Sequence, residues 1–299
     1  MRKLLIVLGA LIVLPIYGQE SVPLWNGNMP NSRGLVLQDS VVNFRMRQVG
    51  TPRLEFFRPS TAQNKGAAVI VCPSGGYGYH TYESSYQLAK WFNTLGINAF
   101  VLMSRLPGSR DLLERDKGPI QDAQRAMKII RARAAEWNID TTRIGIMGCS
   151  AGGHLAATLG TYPEDIAKVG DRYDAYSVRP AFMIMVSPVI TMGEYAHQGS
   201  KLALLGNNPS QALMDKYSCE KQVTRDTPKT FLVHADNDTG VSSMNSILFY
   251  MALKARRVQA SIHIFPYGAH AIALINNPGS TRLWPQLCQE WLYETEIIK

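Results

Sequence analysis

From residue 67 to the C-terminus the chain alternates short apolar, β-branched runs with longer segments of helical periodicity, and no other feature narrows its fold as far. Parallel strands need a crossover between them, so this alternation predicts an α/β fold with a mostly parallel central sheet and helices on both faces. Ala67 to Cys72 is apolar throughout and bounded by Gly66 and Pro73-Ser74-Gly75-Gly76, the pattern of a strand buried on both sides. Further strands are predicted at Ile97 to Met103, Arg143 to Met147, Ala181 to Val186, Thr230 to His234 and Ala260 to Ile264. Helices are predicted from Ser84 to Leu95, from Pro119, from Ser242 to Lys254 and after Pro285. In the second of these, Ala123, Ala126, Met127, Ile130, Ala134 and Trp137 recur at helical spacing, so one face packs on the sheet.

Before residue 66, Phe44 to Arg58 reads as an antiparallel hairpin at one sheet edge. Repeats, low-complexity tracts and Gly/Ser linkers are missing from the sequence, and residues 19–299 are expected to form one domain. Thr191 to Pro228 lies between two strands and carries Gly193, Gly199 and Gly206-Asn207-Asn208-Pro209, so it is expected to be a small lid insertion over the C-terminal edge of the sheet.

Met1-Arg2-Lys3, the apolar run Leu4 to Leu14 and the exit Pro15-Ile16-Tyr17-Gly18 have the layout of a secretory signal, with cleavage expected after Gly18. The run is shorter than the roughly 20 residues of a spanning helix, so no membrane anchor is expected once residues 1–18 are removed, and the destination is periplasmic or extracellular. Losing Arg2 and Lys3 lowers the formal charge from +8 to +6. The remaining basic residues are scattered among acidic ones, with neither a run nor an aromatic-interleaved stripe, which argues against nucleic acid as a partner. Cys72 ends an apolar strand, Cys149 sits in a tight turn and Cys288 falls on the apolar side of the last helix, so free thiols are expected. Their spacing suits no metal, and no cofactor is expected.

Gly148-Cys149-Ser150-Ala151-Gly152 joins the run ending at Met147 to the helix-compatible Gly153-His154-Leu155-Ala156-Ala157-Thr158-Leu159. Strand, Gly-x-Ser-x-Gly and helix make a nucleophile elbow, in which small flanking residues let the backbones approach while the serine hydroxyl is held out on a strained turn. Ser150 is therefore the candidate nucleophile. A serine hydroxyl needs a base to take its proton and a carboxylate to orient that base, and both should follow later strands. His234-Ala235-Asp236-Asn237-Asp238-Thr239-Gly240-Val241 follows one strand and Phe265-Pro266-Tyr267-Gly268-Ala269-His270-Ala271 follows the last. Both loops leave the C-terminal ends of strands, where open α/β sheets place their sites.

Asp238 is the expected acid, because Asp-x-x-Val before a helix keeps the carboxylate on the loop while the valine anchors the chain; Asp236 is the rival. His270 is the expected general base and acid. His234 and His263 suit hydrogen-bonded structural roles, His197 an exposed position in the insertion, and His154 a brace for the elbow. The oxyanion donors are expected to be the amide of Ala151, at the helix start, and those of Gly75 and Gly76 in Ser74-Gly75-Gly76-Tyr77. Without a following Gly-Lys-Ser/Thr, that glycine pair does not read as a phosphate cradle. Tyr77, Tyr79 and His80, just beyond it, are candidates to line the substrate pocket.

Together these residues resemble the α/β-hydrolase superfamily. Within it, Val71 to Tyr77, Arg105-Leu106-Pro107, Asp122-Ala123-Gln124-Arg125-Ala126 and Gly148 to His154 resemble the bacterial secreted acetyl xylan esterase group, whose members are often described as xylanase B-like or lipase/esterase-like. The likeness runs from about Arg53 to Trp291. It implies a cofactor-free Ser-His-Asp esterase that releases acetate from acetylated hemicellulose through an acyl-enzyme, with Ser150, Asp238 and His270 at the matching positions. The chain departs from the group's pattern at Ser74 for glycine, at Ser104 where tyrosine is common, and at Gly268-Ala269-His270-Ala271 for Gly-Gly-His-Gly. Its expected partner is an acylated polysaccharide or oligosaccharide. A feruloyl-type or other carbohydrate esterase is the first alternative. A serine peptidase on the same fold and a carbohydrate-binding protein without turnover are weaker ones, because the chain has no room for an extra propeller domain and keeps serine, acid and histidine in order.

Overall fold

A computed structural model describes residues 20–299, so the expected signal segment at residues 1–18 lies outside the described residues. The strands are β1 (Glu20–Pro23), β2 (Ser40–Val42), β3 (Arg45–Gln48), β4 (Arg53–Phe57), β5 (Ala68–Cys72), β6 (Asn98–Met103), β7 (Ile144–Cys149), β8 (Phe182–Val186), β9 (Lys229–Ala235) and β10 (Ala260–Phe265). The α-helices are α1 (Tyr82–Thr94), α2 (Lys117–Ala132), α3 (Ala151–Thr161), α4 (Gln198–Leu205), α5 (Gln211–Tyr217), α6 (Met244–Ala255) and α7 (Trp284–Glu294). Eight strands form one sheet in the order β1-β4-β6-β5-β7-β8-β9-β10. From β6 to β10 every pairing is parallel, and only the β1–β4 and β4–β6 ladders are antiparallel.

The central strands are buried along their whole length, as their unbroken apolar runs require. Successive side chains point to opposite faces, and β5 splits accordingly: Ala68, Ile70 and Cys72 join a core with α2, α3 and α6, while Val69 and Val71 join one with α1 and α7. Helices thus cover both faces, as expected for an α/β-hydrolase fold. Pro119 sits in the first turn of α2, where its missing N–H leaves no bond unmade.

The hairpin expected over Phe44 to Arg58 does not form. β3 pairs with β2 in a separate two-stranded ribbon, whereas β4 enters the large sheet between β1 and β6. Burial separates them: Leu54 and Phe56 are inside, with the Phe56 ring stacked on Phe100 at 4.3 Å, while Arg45 and Arg47 leave β3 only Met46 to bury. All four cysteines are free, and Cys72, Cys219 and Cys288 are buried. Residues 191–228 carry α4, α5 and a short 3-10 turn at Cys219–Gln222. Among the described residues no helix is long and apolar enough to cross a membrane.

Candidate active site

Ser150 is the single residue between β7 and α3, with φ +55° and ψ −123°, a backbone conformation that L residues rarely adopt. Its surroundings over-determine that conformation. The Ser150 N–H donates to the Val186 carbonyl at 3.1 Å, and its own carbonyl accepts from Val189 at 3.0 Å and His154 at 3.1 Å. The flanking glycines are needed for close approach: a β-carbon at Gly148 would lie 2.0 Å from the Gly152 carbonyl oxygen, and one at Gly152 would lie 2.2 Å from that of Cys72.

The two polar loops predicted from the sequence converge on Ser150. His270 Nε2 lies 2.9 Å from Ser150 Oγ, and its Nδ1 lies 2.7 Å from Asp238 Oδ2. An ionised carboxylate only accepts, so Nδ1–H donates to Asp238 and the neutral ring leaves Nε2 free to accept the serine proton. Asp238 has no exposed side-chain surface, whereas one third of the His270 side chain remains accessible. The other carboxylate oxygen, Oδ1, accepts from the amides of Gly240 at 2.9 Å and Val241 at 2.8 Å. Burial pushes the Asp238 carboxyl up, but hydrogen bonds from His234, His270 and Val241 outweigh it and hold the group well below the usual carboxylate range. Asp236, the rival acid, points into solvent. The neighbouring Asn237 ties the two loops together, its Oδ1 accepting from the Ala269 amide at 2.9 Å.

His234 is buried, with Nε2 donating to the Val241 carbonyl at 2.9 Å and Nδ1 accepting from Ser246 at 2.8 Å. This is the expected structural role, although its 3.3 Å approach to Asp238 has no sequence signal. His154 braces the elbow as expected. Nε2 donates to the Tyr217 carbonyl at 2.8 Å, so Nδ1 accepts from the Tyr77 hydroxyl at 2.8 Å, and burial pushes the imidazole down to about 4.

Gly75 follows β5 with φ +130°, where a β-carbon would lie 2.0 Å from the Tyr79 carbonyl oxygen, and Gly76 has φ +62°. The loop folds back on itself, with the Gly75 carbonyl accepting from Gly78 at 3.0 Å and Tyr79 at 3.3 Å. Ala151 is the first residue of α3, so its amide has no acceptor within the helix.

A cavity of about 240 Å³ opens at Ser150 and His270, lined on its apolar side by Leu88, Val186, Leu274 and Trp284. Tyr77, Tyr79 and His80 do not line this cavity. Tyr77 is buried against His154, His80 is buried with Nε2 donating to the Ser104 carbonyl at 2.8 Å, and Tyr79 lies under the Arg45 guanidinium at 4.7 Å. His197 is not the exposed residue expected. It is half-buried and caps α4, its Nδ1 accepting the Ser200 amide at 3.1 Å, and it stands within reach of Gly76. Burial lowers its pKa, and the nearby His270 lowers it further. Sequence reasoning passed over Ser187, which lines the cavity just past β8 with φ +43° and a buried hydroxyl that has no partner. A Ser-Pro pair directly after an apolar strand was the available signal.

A family profile designated BD-FAE matches residues 54–253. The chain belongs to the BD-FAE family. This family member is 32% identical over 267 residues to an endo-1,4-beta-xylanase B of Butyrivibrio fibrisolvens, covering 88% of the chain and 42% of that protein. It is 34% identical over 213 residues to an acetylxylan esterase of Xylanibacter ruminicola, covering 69% of the chain and 41% of that protein. The chain therefore spans about two-fifths of the length of these curated relatives. A solved acetyl ester-xyloside bifunctional hydrolase from Caldicellulosiruptor lactoaceticus superposes with a TM-score of 0.80 at 35% identity, covering 94% of the chain and 98% of that structure.

Proposed function

We propose that this chain is a serine carboxylesterase that removes acyl groups, acetyl foremost, from a hemicellulose such as xylan. The observation that carries the reading is the unbroken line of hydrogen bonds from Asp238 through His270 to a serine on a strained elbow. In this reading Ser150 Oγ attacks the ester carbonyl while His270 Nε2 takes its proton, and the imidazolium so formed is stabilised by buried Asp238. The amide of Ala151, with that of Gly75 or Gly76, receives the negative oxygen. His270 returns the proton to the departing sugar oxygen, and water enters by the same route to release the acid. The names of the acetylxylan esterase and the acetyl ester-xyloside hydrolase support the choice of acyl group and sugar.

A longer, feruloyl-type acyl group is the second reading, favoured by one observation. A two-carbon acyl group would leave most of the 240 Å³ cavity, with its Leu274 and Trp284 wall, unfilled. The basic start and short apolar run before Gly18 support export, and the segment 191–228 acts in this proposal as a lid, with His197 at its inner edge. The deciding experiment incubates the protein with acetylated xylan and with feruloylated arabinoxylan and measures both acids. Acetate release as the main product is expected. Ser150→Ala should lower kcat by several orders of magnitude with the melting temperature nearly unchanged, and retained turnover in that variant would refute the assignment.

A further inference from the structure

A second concavity, about 490 Å³, is lined in part by Tyr77 and Gly78 of the Gly75–His80 loop. Its size is within the roughly 300–1,000 Å³ of small-ligand clefts. It is joined to the candidate active site through two segments: Tyr77 directly follows Gly75 and Gly76, and Leu202 and Asn207 belong to or follow α4, whose cap His197 stands within reach of Gly76. The floor is apolar at Tyr77 and Leu106, while Gln48, Ser109 and Asn207 add amide and hydroxyl groups at the rim. Two guanidiniums, Arg47 and Arg115, also line it.

Among the described residues neither has a carboxylate partner, unlike Arg53, Arg105, Arg125, Arg133 and Arg143. Arg115 is held toward the concavity by donating Nη1 to the Leu202 carbonyl at 3.3 Å, which leaves its other N–H groups open. Arg47 shares the Tyr79 ring with Arg45, their guanidinium carbons 5.6 Å and 4.7 Å from the ring centroid. Like charges gathered on one ring without a counter-charge repel, and an incoming anion relieves that repulsion. Guanidinium forks match carboxylates in two-point hydrogen bonds, and the surrounding amides, hydroxyls and apolar floor match the alternating polar and apolar faces of a sugar.

We propose that this groove binds a carboxylate-bearing sugar, a uronate, on the same oligosaccharide whose ester is presented to Ser150. The proposal rests on the esterase reading for the identity of the main chain, and not for the binding itself. Anchoring a charged branch beside the active site would favour ester groups close to a uronate over those on a neutral stretch.

The test is equilibrium titration of the protein with two deacetylated xylo-oligosaccharides of equal length, one neutral and one with a single glucuronic acid branch. The branched probe should bind about tenfold more tightly at low salt, with the difference shrinking as salt rises. The variant Arg47→Gln/Arg115→Gln should abolish the preference, each single change should reduce it, and hydrolysis of p-nitrophenyl acetate should stay within about twofold of wild type. If the double variant misfolds, the single Arg47→Gln protein carries the comparison. Equal affinity for the two probes, or a preference that survives the substitutions, overturns the proposal. Failure of the wild type to hydrolyse p-nitrophenyl acetate would instead strike the esterase reading and leave the binding comparison intact.

Discussion

At the scale of single residues, Asp238 shows how a buried carboxylate is aimed at an imidazole. Two backbone amides fix Oδ1, which leaves Oδ2 to His270. Asp238→Asn would keep an oxygen toward Gly240 and Val241 and turn its amide N–H toward His270 Nδ1. The imidazole must then accept there and carry its proton on Nε2, where it can no longer take one from Ser150. A fall in kcat of about 10⁴-fold is expected, measured on a small acyl ester so that binding of the sugar is not limiting. The same carboxyl links stability to pH. Its folded pKa lies below the unfolded value of roughly 3.9, so its contribution is complete above about pH 4 and is lost as pH falls toward the folded value. Urea unfolding between pH 2 and pH 5 should show a shallower acid limb in the asparagine variant. The meeting of Ser150, Asp238 and His270 was legible because polar residues follow buried strands in the expected order. The orientations of Tyr77 and His80 were not, because each is set by a neighbour distant in sequence, His154 and Ser104; His197 is held locally, by Ser200 three residues on, but its burial against the Gly76 loop is not visible in the sequence.

Whole elements raise the question of how rigidly the elbow must be held. α3 packs so closely beneath β5 that a β-carbon on Gly152 would meet two backbone oxygens, those of Cys72 and Pro73 at 2.2 and 2.6 Å. Neither can move without breaking the sheet, so Gly152→Ala should destabilise the protein by more than about 3 kcal/mol in urea unfolding and remove activity together with the fold. The segment 191–228 is tied to this same helix. His154 connects α3 to the Tyr217 carbonyl at the end of α5, and burial makes it a neutral link. A histidine whose folded pKa is below the unfolded 6.5 contributes fully above that pH, and its contribution falls as pH drops toward about 4. That loss amounts to roughly 3 kcal/mol, with buried His80 adding in the same direction. Stability measured from pH 7 down to pH 4 should fall less steeply in His154→Gln. Strand positions were read correctly from apolar runs because the central strands are buried on both faces. The misplaced hairpin shows the limit of that signal: β3 and β4 follow one another in sequence, but Leu54 and Phe56 have a sheet to enter and Arg45 and Arg47 do not.

Over the whole molecule, two of the segments that carry the family likeness hold the fold together rather than touch the site. Asp122, fully buried in α2, accepts from Trp25 Nε1 at 2.8 Å, from the Arg105 amide at 2.7 Å and from its guanidinium at 2.8 Å. Arg105 in turn donates to the Pro30 carbonyl at 2.7 Å. One carboxylate thereby joins the N-terminal segment, the turn after β6 and the helix beneath the sheet. That two motif segments serve such a junction could not be read from their letters, since Arg and Asp at the surface and Arg and Asp in a core look alike in sequence. Removing one partner strands the other: Asp122→Ala leaves Arg105, 2% exposed, without a counter-charge and should cost about 3–5 kcal/mol. Arg105→Met/Asp122→Leu removes both charges and keeps most of the volume, so it should lose distinctly less than the alanine variant. The two unfolding midpoints, compared in urea at pH 7, decide the matter. A double variant as unstable as the single one would mean that this junction acts through its hydrogen bonds to Trp25 and Pro30 and not through the compensation of buried charge.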